Sequence, residues 1–410
     1  MKGTEKGLLK ILDGADKRLY IPVYQRNYDW KKENCDLLFR DLLKLITTDK
    51  KSHFFGSIVT AHLSGGGSED FVIIDGQQRI TTVSLLFLAM INAVKNGDAE
   101  IENQRLCEKI MDTYIVDEYS SDEKKVRLKP TKDDAEAFNK IVAGDVDRFI
   151  DNSNVTNNYN IFYNSIKEMP YNVDQLYEAI RKLCVIDIFV ENDDDPQLIF
   201  ESLNSTGLKL TEADMIRNFV LMGLEAKTQE EYYTRYWLDI EKNTNKTKTA
   251  NFFRDYLTVK QGKIPAIRDV YFVFKKYAED QDILPILVEL LKYSKIYNKI
   301  LTSHTLCKDI DITLKRLNTL DMTVTYPFLL ALFDYAHEVE LPEEDLINTL
   351  SCLETYIVRR LICGIPTNAL NTIFCTLHKD VLRMKRNTDS YSSVVIYILE
   401  NKTSFSSFPK

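Results

Sequence analysis

The chain is poor in the residues that interrupt regular structure. Its 410 residues include only 14 glycines and 10 prolines, a content that favours long helices over a turn-rich β architecture. No stretch approaches the about 18 consecutive apolar residues of a membrane-spanning helix, and the N-terminus lacks the apolar core of a signal peptide. These absences predict a soluble, cytoplasmic protein without membrane contact.

The signatures of several enzyme classes are also missing. The five histidines do not fall at metal-ligand spacings such as H-E-x-x-H, and no G-x-S-x-G nucleophile elbow occurs. There is no G-x-x-x-x-G-K-[ST] phosphate loop, and no glycine-rich dinucleotide fingerprint follows a strand. The seven cysteines include no C-x-x-C pair, so free thiols are expected. Acyl-transfer and redox chemistry are therefore disfavoured.

A global positive charge is absent as well. The net charge is −8 at pH 7, so any contact with nucleic acid must depend on a local patch. A length of 410 residues exceeds one ordinary domain and indicates two or three.

The most informative stretch is residues 71–82, with the sequence FVIIDGQQRITT. An apolar run of strand character ends at Asp75 and Gly76, and residues 83–90 have the pattern of a buried helix. The order predicts a strand, a tight turn and a helix N-terminus. Such an N-terminus presents unpaired backbone N–H groups and a partial positive charge, which favour a phosphate.

A structural interpretation of the same turn stays open. Thr81 or Thr82 would cap the helix, and Arg79 would form an ion pair with Asp75. The turn by itself does not decide between capping and ligand binding.

Two other turns are rich in polar groups. Gln25 and Arg26 follow an extended segment that Pro22 keeps from being helical. The other polar turn, within residues 204–218, follows a helix that Asp195 caps and that begins at Pro196.

This second turn also has a structural interpretation, a helix–turn–helix in which Thr211 and Asp214 form a capping box. Its polar groups nevertheless exceed what caps require: Asn204, Ser205, Thr206, Lys209, Arg217 and Asn218.

The three turns together offer arginines, amides, hydroxyls and two carboxylates. Arginine forks and amides fit phosphate oxygens and nucleobase edges. The carboxylates of Asp75 and Asp214 could hold Mg²⁺ or orient a water molecule for phosphoryl transfer. The combination points to a nucleotide or polynucleotide phosphate site.

Strand patterns occur only in the first half of the chain, at 54–63, 71–75, 126–130 and 183–190. Helix is predicted within 7–20, ending near Gly14, and over 30–47 with Asp29 as its N-cap. The fold class is therefore α+β, a small mixed β-sheet with helices, followed by an all-α domain. We place the first domain at 1–225, with a helical insertion at about 98–182, and the all-helical domain at 226–410.

Four motifs carry a family resemblance: IPVYQRNYDW at 21–30, FGSI at 55–58, DGQQRITT at 75–82 and FESLNSTGLKLTEADMIRN at 200–218. Together they resemble the bacterial domain-of-unknown-function family 262, the nucleotidase-like half of GmrSD-type, modification-dependent restriction systems. The resemblance covers roughly residues 1–225. It implies a ParB/sulfiredoxin-like fold, in which a G-x-x-R turn binds nucleotide phosphates, and residues 76–79 fit that turn.

The resemblance implies binding and hydrolysis of an NTP with Mg²⁺, coupled to recognition or cleavage of modified phage DNA. On this basis the predicted catalytic residues are Asp75, Gln78, Arg79 and Asp214. Asp75 is also the predicted metal ligand. The predicted nucleotide- and phosphate-binding residues are Gln25, Arg26, Gly76, Gln77, Arg79, Thr81, Thr82, Asn204, Lys209 and Arg217.

One feature departs from the family. Many members continue into a C-terminal His-Asn-His nuclease domain with a His-x-x-Pro-type motif, and the context of His378 does not fit it. The nuclease would then lie on a continuation beyond Lys410, which we favour, on a separate polypeptide, or be missing from this member.

Two functions from different classes remain. The first is an NTP-binding and NTP-hydrolysing component of a bacterial restriction or phage-defence system, with DNA and a nuclease domain or subunit as partners. The second is a non-catalytic module that binds nucleotide or DNA and controls a partner nuclease. The hypothesis of direct DNA cleavage has less support, because one carboxylate per turn makes a poor two-metal site. Self-association stays open.

Overall fold

The computed structural model describes residues 2–14, 16–63, 67, 69–120, 125–144, 149–191, 194–203, 210–366 and 368–402. The described residues form two compact units. The first unit comprises those within 1–209 and 222–230, and the second those within 210–221 and 231–410. A mixed sheet with helices in the first unit and helices in the second confirm the predicted fold class. The boundary at 225 and the likeness to the ParB/sulfiredoxin fold stay predictions.

The first unit is built on one six-stranded sheet in the order β1-β6-β3-β4-β2-β5. Its strands are β1 (Lys2–Gly7), β2 (Arg18–Tyr20), β3 (His53–His62), β4 (Asp70–Asp75), β5 (Leu128–Lys129) and β6 (Leu183–Val190). β3 and β4 form an antiparallel hairpin, β1 runs antiparallel to β6, and the other pairs are parallel. All four predicted strand segments are confirmed.

Strand β1 was not expected from the sequence. It is an edge strand and pairs with β6 through backbone hydrogen bonds. Such pairing does not require an alternation of apolar side chains, and the residues of β1 show none. An ion pair across this edge joins Lys6 Nζ to Asp187 Oδ2 at 2.6 Å. The helix predicted within 7–20 is correspondingly short and covers only α1 (Leu8–Leu12).

The remaining helices of the first unit cover the sheet. They are α2 (Lys32–Thr47), α3 (Gln77–Lys95), α4 (Leu106–Ile110), α5 (Lys132–Ala143), α6 (Asn154–Glu168), α7 (Val173–Arg181) and α8 (Pro196–Leu203), with a π-helical turn at Met111–Ile115. Helix α3 is buried on all sides from Ile80 to Ile91 and packs against α6. It is therefore a core helix, and only its ends can reach solvent.

The prediction of Asp29 as the N-cap of α2 is wrong. The helix begins at Lys32 and its N-cap is Lys31. The Asp29 backbone N–H instead donates to Gln78 Oε1 of α3. This tertiary contact keeps Asp29 in the loop, so the helix begins later than the capping pattern predicts.

The chain after α8 continues with helices. They are α9 (Glu212–Leu221), α10 (Ala226–Tyr232), α11 (Leu238–Thr244), α12 (Thr249–Gln261), α13 (Val270–Ala278), α14 (Ile283–Thr302), α15 (Lys308–Thr319), α16 (Tyr326–Glu338), α17 (Glu343–Ile362), α18 (Asn368–Met384) and α19 (Tyr391–Lys402). A π-helical turn at Tyr233–Trp237 joins α10 to α11. Stacked and edge-on aromatic rings, such as Trp237 on Phe253 at 5.6 Å, fill the core of the second unit. None of the described helices has the length and apolar character needed to cross a membrane.

Candidate functional site

The turn between β4 and α3 depends on one glycine. Gly76 is the N-cap of α3 and has φ 96° and ψ 3°, a left-handed conformation that favours glycine. A Cβ atom there would lie 3.0 Å from Ile58 Cγ1 and 3.1 Å from the Ser57 carbonyl oxygen. The first backbone bond of the helix runs from the Ile80 N–H to the Gly76 carbonyl. No side chain of the described residues caps α3, which leaves its first N–H groups available to a ligand.

The capping alternative is therefore wrong for this helix. Thr81 and Thr82 lie beyond its first turn and are buried. The Thr82 hydroxyl donates to the Gln78 carbonyl at 2.7 Å. The role of both threonines as phosphate ligands stays a prediction.

Arg79 extends from the first turn of α3 onto strand β3. Its Nη1 donates to the Ser57 carbonyl at 3.2 Å and lies 3.8 Å from Asp75 Oδ2. The guanidinium lies directly against Gly56, where a Cβ atom would be 2.5 Å from Nε and 2.7 Å from Cζ. The Arg79 side chain remains 28% exposed and that of Asp75 33% exposed. The ion pair of the structural interpretation is thus present but long, and the guanidinium retains donors that can face a ligand.

Residues 25–30, here called the collar, surround the first turn of α3. The collar begins at Gln25, whose Nε2 donates to the Ile74 carbonyl at 2.8 Å. The Gln25 Oε1 accepts a hydrogen bond from Gln77 Nε2 at 3.1 Å. Both glutamine side chains are buried, so these amides join the collar to the end of β4 and to the start of α3.

Gln78 holds the remainder of the collar. Its Oε1 accepts from the backbone N–H groups of Asp29 at 2.8 Å and Trp30 at 3.1 Å. Its Nε2 donates to the Asn27 carbonyl at 3.2 Å. The amide group is therefore bonded on both ends, which gives Gln78 a positioning role. Its direct participation in catalysis stays a prediction.

Tyr28 fastens the collar from the other side. Its backbone N–H donates to Asp134 Oδ2 at 2.6 Å, and its hydroxyl lies 2.7 Å from Thr82 Oγ1. The same hydroxyl accepts from Asn158 Nδ2 at 3.0 Å. Burial raises the pKa of Tyr28 well above its ordinary value, so the hydroxyl stays neutral and can donate to Thr82. The collar is thus held by side chains from α3, α5 and α6.

Arg26 has no counter-ion within the described part of the chain. Its side chain is partly exposed and forms no ion pair or hydrogen bond with the described residues. Its neighbours Gln25 and Asn27 are bonded to Gln77 and Gln78, which places Arg26 beside the first turn of α3. The backbone of Arg26 therefore lies in the same corner as Arg79.

Asp75 contributes the carboxylate that pairs with Arg79 in this corner. The described residues contain no group of three or more histidine, cysteine or acidic side chains arranged to hold a metal ion. Mg²⁺ does not require such a cage, since it is commonly bound by one or two carboxylates together with substrate phosphates and water. Asp75 fits the part of a single protein ligand.

Asp214 and Arg217 belong to the second unit, where both are already bonded. The Asp214 N–H donates to Thr211 Oγ1 at 3.1 Å, and Asp214 Oδ2 accepts from the Thr211 N–H at 3.2 Å. The capping box is thereby confirmed. Arg217, only 3% exposed, pairs with Asp214 at 2.8 Å and with Glu241 at 2.7 Å. Their catalytic and phosphate-binding roles stay predictions, and Asn204 and Lys209 lie outside the described residues.

Three residues of the site were given no role from the sequence motifs: Gly56, Asp134 and Asn158. Gly56 lies inside a strand pattern, which is a usual signal of a bulge or a close approach, and it could have been found on that ground. The pairing of β3 with β6 does shift its register between Phe54 and Ser57. Asp134 and Asn158 carry no such signal, because their partners in the collar lie more than one hundred residues away.

Comparison with known proteins supports a relation over the part of the chain that contains this site. A family model described as the N-terminal domain of the GmrSD restriction endonuclease matches residues 8–221. The match includes the collar, Gly56 and Arg79 and spans just over half of the chain. A comparison with curated proteins gave no match.

Proposed function

Since the match covers more than half of its residues, the chain belongs to the GmrSD restriction endonuclease family, and we propose that its first unit binds and hydrolyses a nucleoside triphosphate. Family membership makes the protein a component of a restriction system. The nucleotide, its hydrolysis and the contact with DNA are the proposed part.

The observation that carries the proposal is the position of Arg79. Its guanidinium lies against Gly56 beside an uncapped helix N-terminus, and Arg26 stands in the collar around the same turn. Backbone N–H groups with the helix dipole favour a phosphate, and guanidinium groups add charge-assisted hydrogen bonds. Two cations and one helix N-terminus match the multiple negative charge of a polyphosphate.

Phosphoryl transfer to water needs little covalent help from a protein. Arg79 and Arg26 would bind the phosphate oxygens and stabilise the charge that moves between them in the transition state. Asp75 would hold Mg²⁺, which neutralises part of the phosphate charge when it is bound. Alternatively, Asp75 would orient the attacking water. Gln77 and Gln78 would keep the collar, and with it Arg26, in place.

Cleavage of DNA is assigned to a nuclease domain or subunit. Asp75 is the acidic residue that pairs with Arg79 in the corner, and a single such carboxylate suits one metal ion held mainly by phosphates better than a two-metal nuclease site. Hydrolysis would then control when modified phage DNA reaches the nuclease, and the DNA would contact a local basic patch.

One observation favours a non-catalytic alternative. Asp75 Oδ2 lies 3.8 Å from Arg79 Nη1, and a carboxylate that is engaged by this guanidinium is less available to a metal ion. In that case the unit would bind an NTP as a signal and leave it intact. Nucleotide binding without release of phosphate would identify this function.

The test measures phosphate release from each of the four NTPs, with and without Mg²⁺ and modified DNA. Arg79→Ala should reduce turnover about 10²- to 10³-fold, as expected for removal of a group that stabilises developing charge. Its melting temperature should stay near that of the wild type, because the side chain is partly exposed and its ion pair is long.

Arg181→Ala is the matched control, since Arg181 is 57% exposed and pairs only locally with Glu178. It should retain full turnover. A large fall in melting temperature for Arg79→Ala, with turnover preserved, would instead assign Arg79 a structural role.

A further inference from the structure

An aromatic pair lies beside the proposed phosphate site. Trp30, the last residue of the collar, meets Phe55 edge-on, with ring centroids 6.2 Å apart and an interplanar angle of 84°. Both rings are partly exposed and pack against the core on the side of α3. Among the described residues no group accepts a hydrogen bond from the Trp30 indole N–H. The pair is therefore partly open to solvent and includes a hydrogen-bond donor that the described residues leave unused.

The backbone of Trp30 is fixed. Its N–H donates to Gln78 Oε1 at 3.1 Å, and its carbonyl accepts from Asn158 Nδ2 at 2.8 Å. Because this backbone is already ordered, binding at the ring would not have to order the loop that carries it.

Both rings adjoin the residues that position Arg79. Phe55 directly precedes Gly56, against which the Arg79 guanidinium lies. Trp30 is bonded to Gln78, the residue before Arg79 on α3. The aromatic pair is thus linked, through Gln78 and Gly56, to the same turn that holds Arg79.

A second place for an apolar ligand group exists and is less suitable. A cavity of about 400 Å³ is lined by Tyr24, Val72 and Ile74, among others. Side chains of a strand alternate between the faces of a sheet, and Ile73 packs in the core beneath α3. Val72 and Ile74 therefore point to the opposite face, away from the helix that carries Arg79.

We propose that Trp30, supported by Phe55, is the platform on which the base of the bound nucleotide stacks. This assignment rests on the proposed nucleotide binding at Arg79 and adds the recognition of the base. Stacking accepts any base, so the platform would distinguish nucleotides from inorganic polyphosphate. Purines would bind several-fold more tightly than pyrimidines, because their larger rings overlap more of the indole.

The first experiment compares the affinity for each NTP with that for inorganic tripolyphosphate by calorimetry. Trp30→Leu should weaken NTP binding by roughly ten- to a hundredfold and leave tripolyphosphate binding unchanged. Trp30→Phe should restore most of the difference. Tyr119→Leu is the control, since Tyr119 is a fully exposed aromatic side chain of the same unit.

The second experiment needs no change at Trp30. The chain has two tryptophans, so Trp237→Phe leaves Trp30 as the only one. Saturating NTP should then quench or shift the tryptophan fluorescence, whereas saturating tripolyphosphate should not.

Equal loss of NTP and tripolyphosphate affinity in Trp30→Leu would overturn the platform and give Trp30 a structural role. An unchanged fluorescence with NTP bound would overturn it as well. Failure of the underlying function looks different: neither ligand would bind, or binding of both would survive Arg79→Ala.

Discussion

Replacing Gly56 by alanine places a methyl group where the Arg79 guanidinium now lies. The new Cβ atom would be 2.5 Å from Nε, 2.7 Å from Cζ and 2.8 Å from Nη2, all closer than atoms can approach. The atoms in its way are the far end of a flexible side chain, so the guanidinium should move and the strand should remain. Gly56 also has φ +112°, which is strained for any L-residue.

The cost has two parts. Backbone strain of this kind contributes about 1–3 kcal/mol. The steric overlap adds about 1 kcal/mol, the lower end for overpacking, because Arg79 is partly exposed and can move outward. For ligand binding, displacement of the guanidinium removes a charge-assisted hydrogen bond worth about 1.5–3 kcal/mol. We therefore expect roughly ten- to a hundredfold weaker binding of tripolyphosphate or NTP.

A double-mutant cycle with Arg79→Ala separates the two parts. In the Arg79→Ala background the overlap disappears, so Gly56→Ala should cost about 1 kcal/mol less in free energy of unfolding. It should also cause no further loss of phosphate affinity. Denaturant unfolding and calorimetry measure these quantities.

Gly97→Ala is the matched control at the other end of α3. Gly97 has φ +74°, and a Cβ atom there would meet nothing within 4 Å. This variant should lose stability through strain alone and keep its affinity. If Gly56→Ala also kept wild-type affinity, the contact between Gly56 and Arg79 would not position the phosphate ligand, and the reasoning would be refuted.

Three further changes test the supporting structure. Gln78→Ala leaves two N–H groups and one carbonyl of the collar unpaired, so thermal unfolding should show a loss of about 2–4 kcal/mol; unchanged stability with lost turnover would support a catalytic role. Arg217→Ala leaves the carboxylates of Asp214 and Glu241 without their guanidinium counter-ion and should destabilise the second unit by about 3–5 kcal/mol. Burial raises the pKa of Asp255 to about 7, whereas its pKa in the unfolded chain is near 4. Between about pH 4 and 7 the unfolded chain has released this proton and the folded protein still holds it, so the free energy of unfolding falls as pH rises. Asp255→Asn should remove this pH-dependent loss of stability and be more stable than the wild type at pH 8. Equal stability of variant and wild type at pH 8 would contradict the prediction. Burial also lowers the pKa of His378 to about 4, which gives the opposite slope over the same range, so variant and wild type must be compared at each pH.

The parts of the fold that the sequence predicted correctly are local. The β3–β4 hairpin and the start of α3 follow from an apolar run that stops at Asp75 and Gly76. Asp195 does cap α8, through bonds to the Gln197 and Leu198 N–H groups at 2.8 and 3.3 Å. Periodicity and capping act over a few residues, so a single sequence can show them.

Predictions from the local pattern failed where the backbone bonds to a partner that is distant in the sequence. Strand β1 has no strand pattern of its own and forms because β6 offers it an edge. The Asp29 N–H bonds to Gln78, forty-nine positions along the chain, and α2 begins later than its capping pattern indicates. In both cases the backbone groups are satisfied by an element that lies far away in sequence.

By itself, the sequence determined which residues of the site carry charge and that a helix N-terminus follows Gly76. Tertiary structure decided where those charges lie. It set the Arg79 guanidinium against Gly56, fastened Tyr28 to Asn158 across 130 positions, and bonded Gln78 to the collar. These contacts depend on how the sheet and helices pack, and no local pattern encodes packing between residues so far apart.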